Sequence, residues 1–475
     1  MRFSFSAARL VLLLGWLGFA LSLPSFGPGI NDDDQDDPGK GLKVITRDVC
    51  IIGGGASGTY ATVRLRELGH SVILVEREDH LGGHTRTYYD PEGRPIDYGV
   101  WVYSNNTDAA RFFAHFNIAM TRQDFTRISE GSQRIDLRTG QRVPPPSGSV
   151  VEAMTRYAQI LLQYPYLSDG WDLPDPVPED LLLSFRDFIA RHNLSPAVET
   201  LTLYVQGLGD ILNYPAVYVM KYFSFAVLLG IQQGFTTSAS LANGRLYEAA
   251  QAEIGDDVLL RSTVVAASRS VDGHRILVST PEGKQLIHAD KLILAIPPLL
   301  QNLEPFDLND RETEVFAQFD NSYYYTTVVR LPGVPNNVQI LNRAVDTEYN
   351  IPVLPGTYVF YPSQVPSLFM GFFGGGDQDL SEEEVRETII DNALQLRNAG
   401  YDVTDPEILA YGNHSPFNLF VSSQAIASGF YRDLYSLQGL RKTWYTGAAW
   451  HTHDSAALWR FTERLLNERV IVGYF

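Results

Sequence analysis

The stretch Asp48-Val-Cys-Ile-Ile-Gly-Gly-Gly-Ala-Ser-Gly58, followed by Val72-Ile-Leu-Val-Glu76, leaves this chain few folds to choose from. The apolar run reads as a buried strand and the glycines as a tight turn. Ala56 to Leu68 reads as a helix with apolar residues at helical spacing, stopped by Gly69, and Val72 to Val75 as a second buried strand. Gly53, Gly55 and Gly58 fit G-x-G-x-x-G. The first permits the turn, the second lets backbone approach a pyrophosphate, and the third lets helix pack on strand. Ala56 and Ser57 open a helix whose free N–H groups and dipole point at that pyrophosphate. Glu76, with Arg77 beside it, ends the second strand, where a carboxylate accepts hydrogen bonds from ribose hydroxyls. Together these residues predict a Rossmann-like nucleotide-binding domain in an α/β protein.

At 475 residues the chain is long enough for two domains, and 45% hydrophobic with 12% aromatic residues suits a packed enzyme. A net charge of −18 argues against nucleic acid or an anionic membrane surface as partner. It also makes a free anionic substrate less natural, although surface charge says little about a closed pocket. Arg2 and Arg9, the apolar run Leu10–Leu21 and the small-x-small site Ala20-Leu21-Ser22 have the form of a signal peptide over residues 1–22. The mature protein is therefore expected to be secreted, or to reside in the secretory-pathway lumen, with no stable membrane anchor after cleavage. Asn105, Asn193 and Asn413 lie in N-x-S/T sequons and are the expected glycosylation sites, the last two weakened by Pro196 and Pro416. Cys50, the sole cysteine, falls inside the first strand and reads as a small buried hydrophobe rather than a nucleophile.

Residues 23–46 hold Asn31-Asp-Asp-Asp-Gln-Asp-Asp and read as an acidic linker. From about 150 to 240 the pattern is helical. From 257 to 288 it turns to short alternating strands around Asp272-Gly273 and Glu282-Gly283. Lys291 to Ala295 is a buried strand stopped by prolines. Strands return through 323–331 and 356–374, and a helix starts near Ser381. Trp444-Tyr445 reads as a strand before a glycine turn, with a closing helix from about Asp454 to Glu468. The nucleotide domain is thus expected to be assembled from 47–130, 244–300 and 438–475, with an α+β substrate domain from 131–243 and 301–437 inserted.

Directly after the second strand comes His80-Leu-Gly-Gly-His-Thr-Arg-Thr87, where Gly82 and Gly83 let backbone pack on a pyrophosphate and ribityl chain. At this string the chain resembles the flavin-containing amine oxidase superfamily, whose motif here is Gly-Gly-Arg. His84 in place of the arginine sets it apart from simple amine oxidases. Asp97-Tyr-Gly-Val-Trp101, with Gly99 and Val100, corresponds to the family segment along the flavin ring, and Val264 to the valine whose backbone reads adenine. Ala295-Ile-Pro-Pro298 matches the strand before the second substrate segment. Thr446-Gly447 matches the carboxyl-terminal flavin motif, with Ala448 where the family has Glu. The first glycine motif, Gly82-Gly-His-Thr and the signal peptide are closer to the beta-cyclopiazonate dehydrogenase family of secreted fungal FAD-dependent oxidoreductases.

That resemblance covers about 47–475 and implies FAD. It also implies a hydrophobic small-molecule substrate, terpenoid or prenylated, undergoing alcohol oxidation, desaturation or oxidative cyclisation by hydride transfer to flavin N5. A flavin amine oxidase, an FAD-dependent double-bond isomerase of a lipid and a flavin binder without turnover share the architecture and stay open. No oligomeric state follows from the residues.

The expected catalytic residues are His451, His453, Trp450 and Tyr445. In an extended segment the two histidines face one side, and an imidazole titrates near working pH, so one of them is a candidate proton acceptor. No further ligand pattern supports a metal. Trp450 and Tyr445 would form an aromatic wall for a planar substrate, or else pack in the core. N–H groups near Asp454 and Ser455, at the start of the closing helix, would stabilise negative charge on the reduced flavin. His84, beside the ring's benzenoid edge, would either pack or tie covalently to flavin. Tyr323-Tyr-Tyr-Thr-Thr and Phe369-Met-Gly-Phe-Phe alternate on strands, one face free to line a pocket while the other builds core.

Overall fold

The apolar run of the glycine motif forms β1 (Lys43–Ile52), whose last four residues are buried. The computed structural model describes residues 42–123 and 131–471. The expected signal peptide and most of the linker lie outside them. Residues 43–46, expected in the linker, belong instead to β1, because Lys43 to Thr46 pair with Gln285 to His288.

β1 runs parallel to β2 (Val72–Val75) on one side and to the long strand Gly283–Leu294 on the other. The long strand divides its free edge. Lys284 to Ala289 take the antiparallel strand Gly273–Thr280, which pairs in turn with Thr263–Ser270. Leu292 to Leu294 take Thr443–Tyr445 in parallel. Val258–Leu259 closes the other edge beside β2. One sheet is thus built from both ends and the middle of the chain. Helix α1 (Ala56–Glu67) packs beside the closing helix Ser455–Leu465, bringing residues about 400 apart into contact. Cys50 is fully buried, and burial pushes its thiol up, as its place in β1 predicts.

A second sheet runs in the order Glu407–Asn413, Tyr323–Arg330, Leu368–Gly376, Gly356–Pro362, Gln339–Asn342, Ser132–Asp136, Gln141–Arg142. Its residues alternate as pleat geometry requires. Tyr325, Val329, Ile340, Phe360, Phe369 and Phe373 pack against Val385, Ile389 and Ala393 of the helix Glu382–Gln395. That helix starts at a capping box made by Ser381 and Glu384. The opposite face, with Val328, Leu341, Tyr361 and Phe372, meets Ile96 and Tyr98 beside the first sheet. Six further α-helices between Val150 and Gln233 complete the apolar layer. Among the described residues no helix is long and apolar enough to cross a membrane. Asn105, Asn193 and Asn413 are all exposed.

Candidate functional site

The carboxyl ends of four parallel strands converge: Gly53 after β1, Glu76 after β2, Ala295 after the long strand, and Thr446-Gly447 after Thr443–Tyr445. At this edge Gly55, Ala56, Gly83, His84, Gly99, Val100, Ala295 and Gly447 stay partly exposed. Gly53 has φ +99°, and a Cβ on Gly58 would lie 1.8 Å from the Gly53 carbonyl oxygen, so the chain's own packing demands both glycines. Gly55 differs. A Cβ there would meet only the Gly83 Cα at 3.9 Å, so its bareness leaves a cradle open to something outside the chain. Helix α1 begins with no side-chain cap and no acid in its first turn, and the Ser57 hydroxyl is buried with no partner. Free helix N–H groups, an orphaned hydroxyl and two facing glycines fit a pyrophosphate.

Around the cradle the expected cofactor residues take definite places. Gly82 N–H donates to the Gly54 carbonyl at 2.9 Å, seating the second glycine pair on the first. Glu76 accepts from Gly54 N–H at 2.5 Å and from Glu78 N–H at 2.8 Å, so its carboxylate also braces the glycine turn, with lone pairs left over. Arg77 is largely exposed. Val264 follows Ser262, whose N–H donates to the Glu76 carbonyl at 2.9 Å, so that strand starts beside the end of β2. A Cβ on Gly99 would lie 1.9 Å from the His84 carbonyl oxygen, to which Val100 N–H donates at 3.1 Å. Asn243, absent from the expected set, holds this segment through Val100 O at 3.1 Å and Trp101 O at 2.9 Å. Its backbone N–H meets the Asp97 carboxylate, which burial pushes up to about 7. The only local sign of Asn243 is its position before the helix Gly244–Ile254.

Beyond His84 lies a cluster of rings. His84 stands 4.5 Å from His414 and 5.6 Å from Phe417, and Phe417 stacks on His453 at 4.2 Å. Tyr222 stacks on the same His453 at 5.5 Å, and Tyr324 meets Phe417 at 4.7 Å. His414 is bonded through Nε2 to the Thr326 hydroxyl at 2.8 Å. Burial, with Arg86 and Arg77 adding to it, brings His84 down to about 4. Burial and the neighbouring His84 bring His453 to about 3, and burial holds His414 well below its ordinary value. All three imidazoles are therefore neutral near pH 7, and among the described residues no carboxylate is hydrogen-bonded to any of them. A neutral imidazole can accept a proton or a hydrogen bond from a substrate hydroxyl. His414 and Phe417 were hidden in the sequence because the Asn413 sequon reads as a glycan site.

Three of the four expected catalytic residues do not line this cluster. The segment is not extended: Ala448–Trp450 is a 3₁₀ turn and His451 has φ −151°, ψ −85°. Only His453 therefore reaches the rings. His451 is bonded through Nδ1 to Lys221 Nζ at 2.8 Å, while the same Nζ donates to the Leu167 and Gly170 carbonyls at 2.9 and 2.7 Å and lies over Trp171. Trp450 is fully buried and stacks on Tyr445 at 5.0 Å. The Tyr445 hydroxyl donates to Glu312 at 2.7 Å. Both aromatics are core: Trp450 packs between Tyr435 and Tyr445, and the Tyr445 hydroxyl is committed to Glu312, away from the histidine cluster. The start of the closing helix is also partly taken, since the Asp454 carboxylate accepts from Ala456 and Ala457 N–H at 2.9 and 3.2 Å.

Residues 56–410 match the flavin containing amine oxidoreductase family. The FAD-dependent oxidoreductase dbaF of Emericella nidulans is 37% identical over 465 residues, spanning 96% of this chain and 98% of that protein. The beta-cyclopiazonate dehydrogenase of Aspergillus flavus is 35% identical over 431 residues, 89% of this chain and 93% of that one. Among solved structures, the CLA-producing fatty acid isomerase from P. acnes superposes with a TM-score of 0.71 at 20% identity, over 89% of this chain and 98% of the other.

Proposed function

The chain belongs to the flavin-containing amine oxidoreductase family and is an FAD-dependent oxidoreductase, and we propose that it oxidises a hydrophobic small-molecule metabolite at an uncharged group. The observation that carries this reading is the ring cluster of His84, His414, Phe417, His453, Tyr222 and Tyr324. It offers apolar faces and neutral imidazoles, and among the described residues none of its histidines is hydrogen-bonded to a carboxylate. An ammonium group entering it would lose its hydration, and the carboxylate that Tyr222 senses, Asp454, is already committed to Ser104 and to the Ala456 and Ala457 N–H groups. The relatives named FAD-dependent oxidoreductase and beta-cyclopiazonate dehydrogenase support a small-metabolite substrate, either oxidised at an alcohol, desaturated or cyclised.

When bound, FAD supplies the two-electron acceptor for a C–H bond held against its ring at N5. The chain's own residues would do the holding. Gly53, Gly55, Ala56, Ser57 and Gly58, with Gly82 and Gly83, would form the pyrophosphate cradle. Glu76, with Arg77 beside it, would hold the ribose, and Val264 the adenine. Gly99, Val100 and Gly447 would hold the flavin. His453, its ring fixed between Phe417 and Tyr222, accepts a hydrogen bond from a substrate O–H or N–H and so orients the adjoining C–H bond; at about 3 its imidazole is too weak a base to take that proton itself. His84 and His414 form the polar edge of the wall. The signal-like residues 1–22 and the exposed Asn105, Asn193 and Asn413 support a secreted glycoprotein.

The test is anaerobic mixing of the FAD-loaded enzyme with hydrophobic alcohols, prenylated aromatics and aliphatic amines, read as bleaching of the visible flavin bands. Bleaching by neutral hydrophobic compounds supports the reading. Bleaching by cationic amines alone would return the enzyme to the amine oxidases. Colour retained in an acid-precipitated pellet reports covalent flavin, for which His84 is the residue assigned.

A further inference from the structure

The face of the second sheet that carries Tyr324 and Thr326 ends in a buried guanidinium whose hydrogen bonds the fold does not complete. Gln339, Leu341 and Arg343 alternate along the strand Gln339–Asn342 and its continuation, where Arg343 N–H still donates to the Ile135 carbonyl at 2.9 Å. Leu341, between the two polar residues, packs with Tyr361 and Phe372 on the face toward Ile96 and Tyr98. Arg343 is 3% exposed. Its Nε donates to Glu199 at 3.2 Å and Nη1 to the Asn342 carbonyl at 2.6 Å, while Nη2 is buried with no partner. Glu199 is already gripped by Arg134 through contacts of 2.7 to 3.0 Å. One carboxylate thus serves two guanidiniums, the part-exposed Arg134 and the buried Arg343, and holds Arg343 by the longer contact. Gln339 is 2% exposed. Its oxygen accepts from Ser132, and its Nε2, which makes no well-formed bond, lies against the Tyr361 hydroxyl. Tyr361 stands next to both, close enough to Arg343 for its phenol to feel that charge.

This corner is joined to the histidine cluster by a continuous run of ring contacts. His453 meets Phe417 at 4.2 Å, Phe417 meets Tyr324 at 4.7 Å, Tyr324 meets Phe372 at 6.4 Å, and Phe372 meets Tyr361 at 6.3 Å. Buried donors without acceptors are rare in folded proteins, and the orphaned Arg343 Nη2, with Gln339 Nε2 and the Tyr361 phenol beside it, describes a place built for an anionic acceptor. We propose that Arg343 and Gln339, with the Tyr361 hydroxyl, form a subsite for an acidic oxygen of the substrate, a carboxylate or an enolate, at the end remote from the bond oxidised. This rests on the reading that a hydrophobic metabolite lies along the aromatic face. The net charge of −18 does not oppose it, because a buried guanidinium at contact distance outweighs screened surface charges.

The test titrates the FAD-loaded enzyme with decanoate, with dehydroacetate (an enolate lacking a carboxylate) and with 1-decanol, reading perturbation of the flavin spectrum. The wild type should bind at least one anion about tenfold or more tighter than decanol. Which anion wins identifies the acidic group. Arg343→Met and Gln339→Leu should lose that preference while decanol still perturbs the flavin, and Arg343→Lys should restore part of it. If Arg343→Met does not fold, Gln339→Leu carries the test, because it leaves the guanidinium and Glu199 in place. Equal affinity for anions and decanol in the wild type would overturn the subsite, as would a preference unchanged in Gln339→Leu. Perturbation by none of the three would overturn the substrate reading itself, and the subsite with it.

Discussion

A methyl group added at Gly58 would lie 1.8 Å from the Gly53 carbonyl oxygen, whereas at Gly55 the nearest atom is the Gly83 Cα at 3.9 Å. Gly55 also has φ −71°, a backbone open to alanine. One glycine therefore serves the fold and the other serves the cofactor. Gly58→Ala should fail to hold β1 against α1 and yield little folded protein. Gly55→Ala should fold with the apo melting temperature of the wild type but bind FAD at least about tenfold more weakly, since backbone can no longer approach the pyrophosphate. Apo melting and FAD titration separate the two, and an equal loss of apo stability in both variants would defeat this division. The motif spacing made these residues legible in the sequence. It could not do the same for His451 and His453, because their alternation has meaning only in an extended segment and the chain turns there. Nor could residue type tell that Trp450 and Tyr445 face the core, since a wall and a core want the same aromatics.

At the scale of elements, local signals succeeded and distant pairings did not. The turns at Asp272-Gly273 and Glu282-Gly283, and the helix after Ser381, carry their geometry in adjacent residues. The start of β1 depends on Gln285 to His288, and the polar strand Met120–Gln123 exists because it pairs with Phe235–Ser238. Neither partner is visible from its own segment. The pairing of α1 with the closing helix is of the same kind, and one side chain clamps it. Glu463 accepts from Arg64 Nε at 2.9 Å, Arg64 Nη2 at 3.0 Å and the Tyr60 hydroxyl at 2.9 Å. Burial alone would raise this carboxyl, but Arg64 and Tyr60 bring it down to about 2. A folded value below the unfolded one means stability that is fully present above about pH 4.3 and fades as pH falls through the window to about 2. Glu463→Gln should therefore destabilise by about 1–3 kcal/mol at pH 7. The gap from wild type should close near pH 2–3, as melting temperatures across that range would show. A gap independent of pH would mean that shape, not charge, joins the helices.

For the whole molecule, the interleaving predicted from a glycine motif at one end and a strand-turn-helix at the other has a physical joint that no motif announces. Arg269 and Glu312 are both fully buried and meet through two parallel bonds of 2.9 Å. Arg269 also reaches Asp307 at 2.9 Å, Arg441 reaches Glu312 at 2.5 Å, and the Tyr445 hydroxyl donates to Glu312 at 2.7 Å. The network ties the strand Thr263–Ser270, the helix Asp310–Phe316 and the strand Thr443–Tyr445. Its five side chains are spread over 176 residues of sequence, which is why composition and spacing are silent about it. Glu312 is the shared acceptor for two arginines and a phenol, so removing its charge leaves the buried Arg269 and the part-exposed Arg441 with Asp307 alone between them. Losing one partner of such a buried pair costs about 3–5 kcal/mol, far more than the pair contributes over an apolar replacement. Glu312→Gln should lower the urea midpoint accordingly. The FAD spectrum of the surviving folded fraction should be unchanged, because Glu312 bonds to none of the cradle residues. A variant that kept its midpoint but released its flavin would show instead that the network acts on the cofactor rather than on the union of the segments.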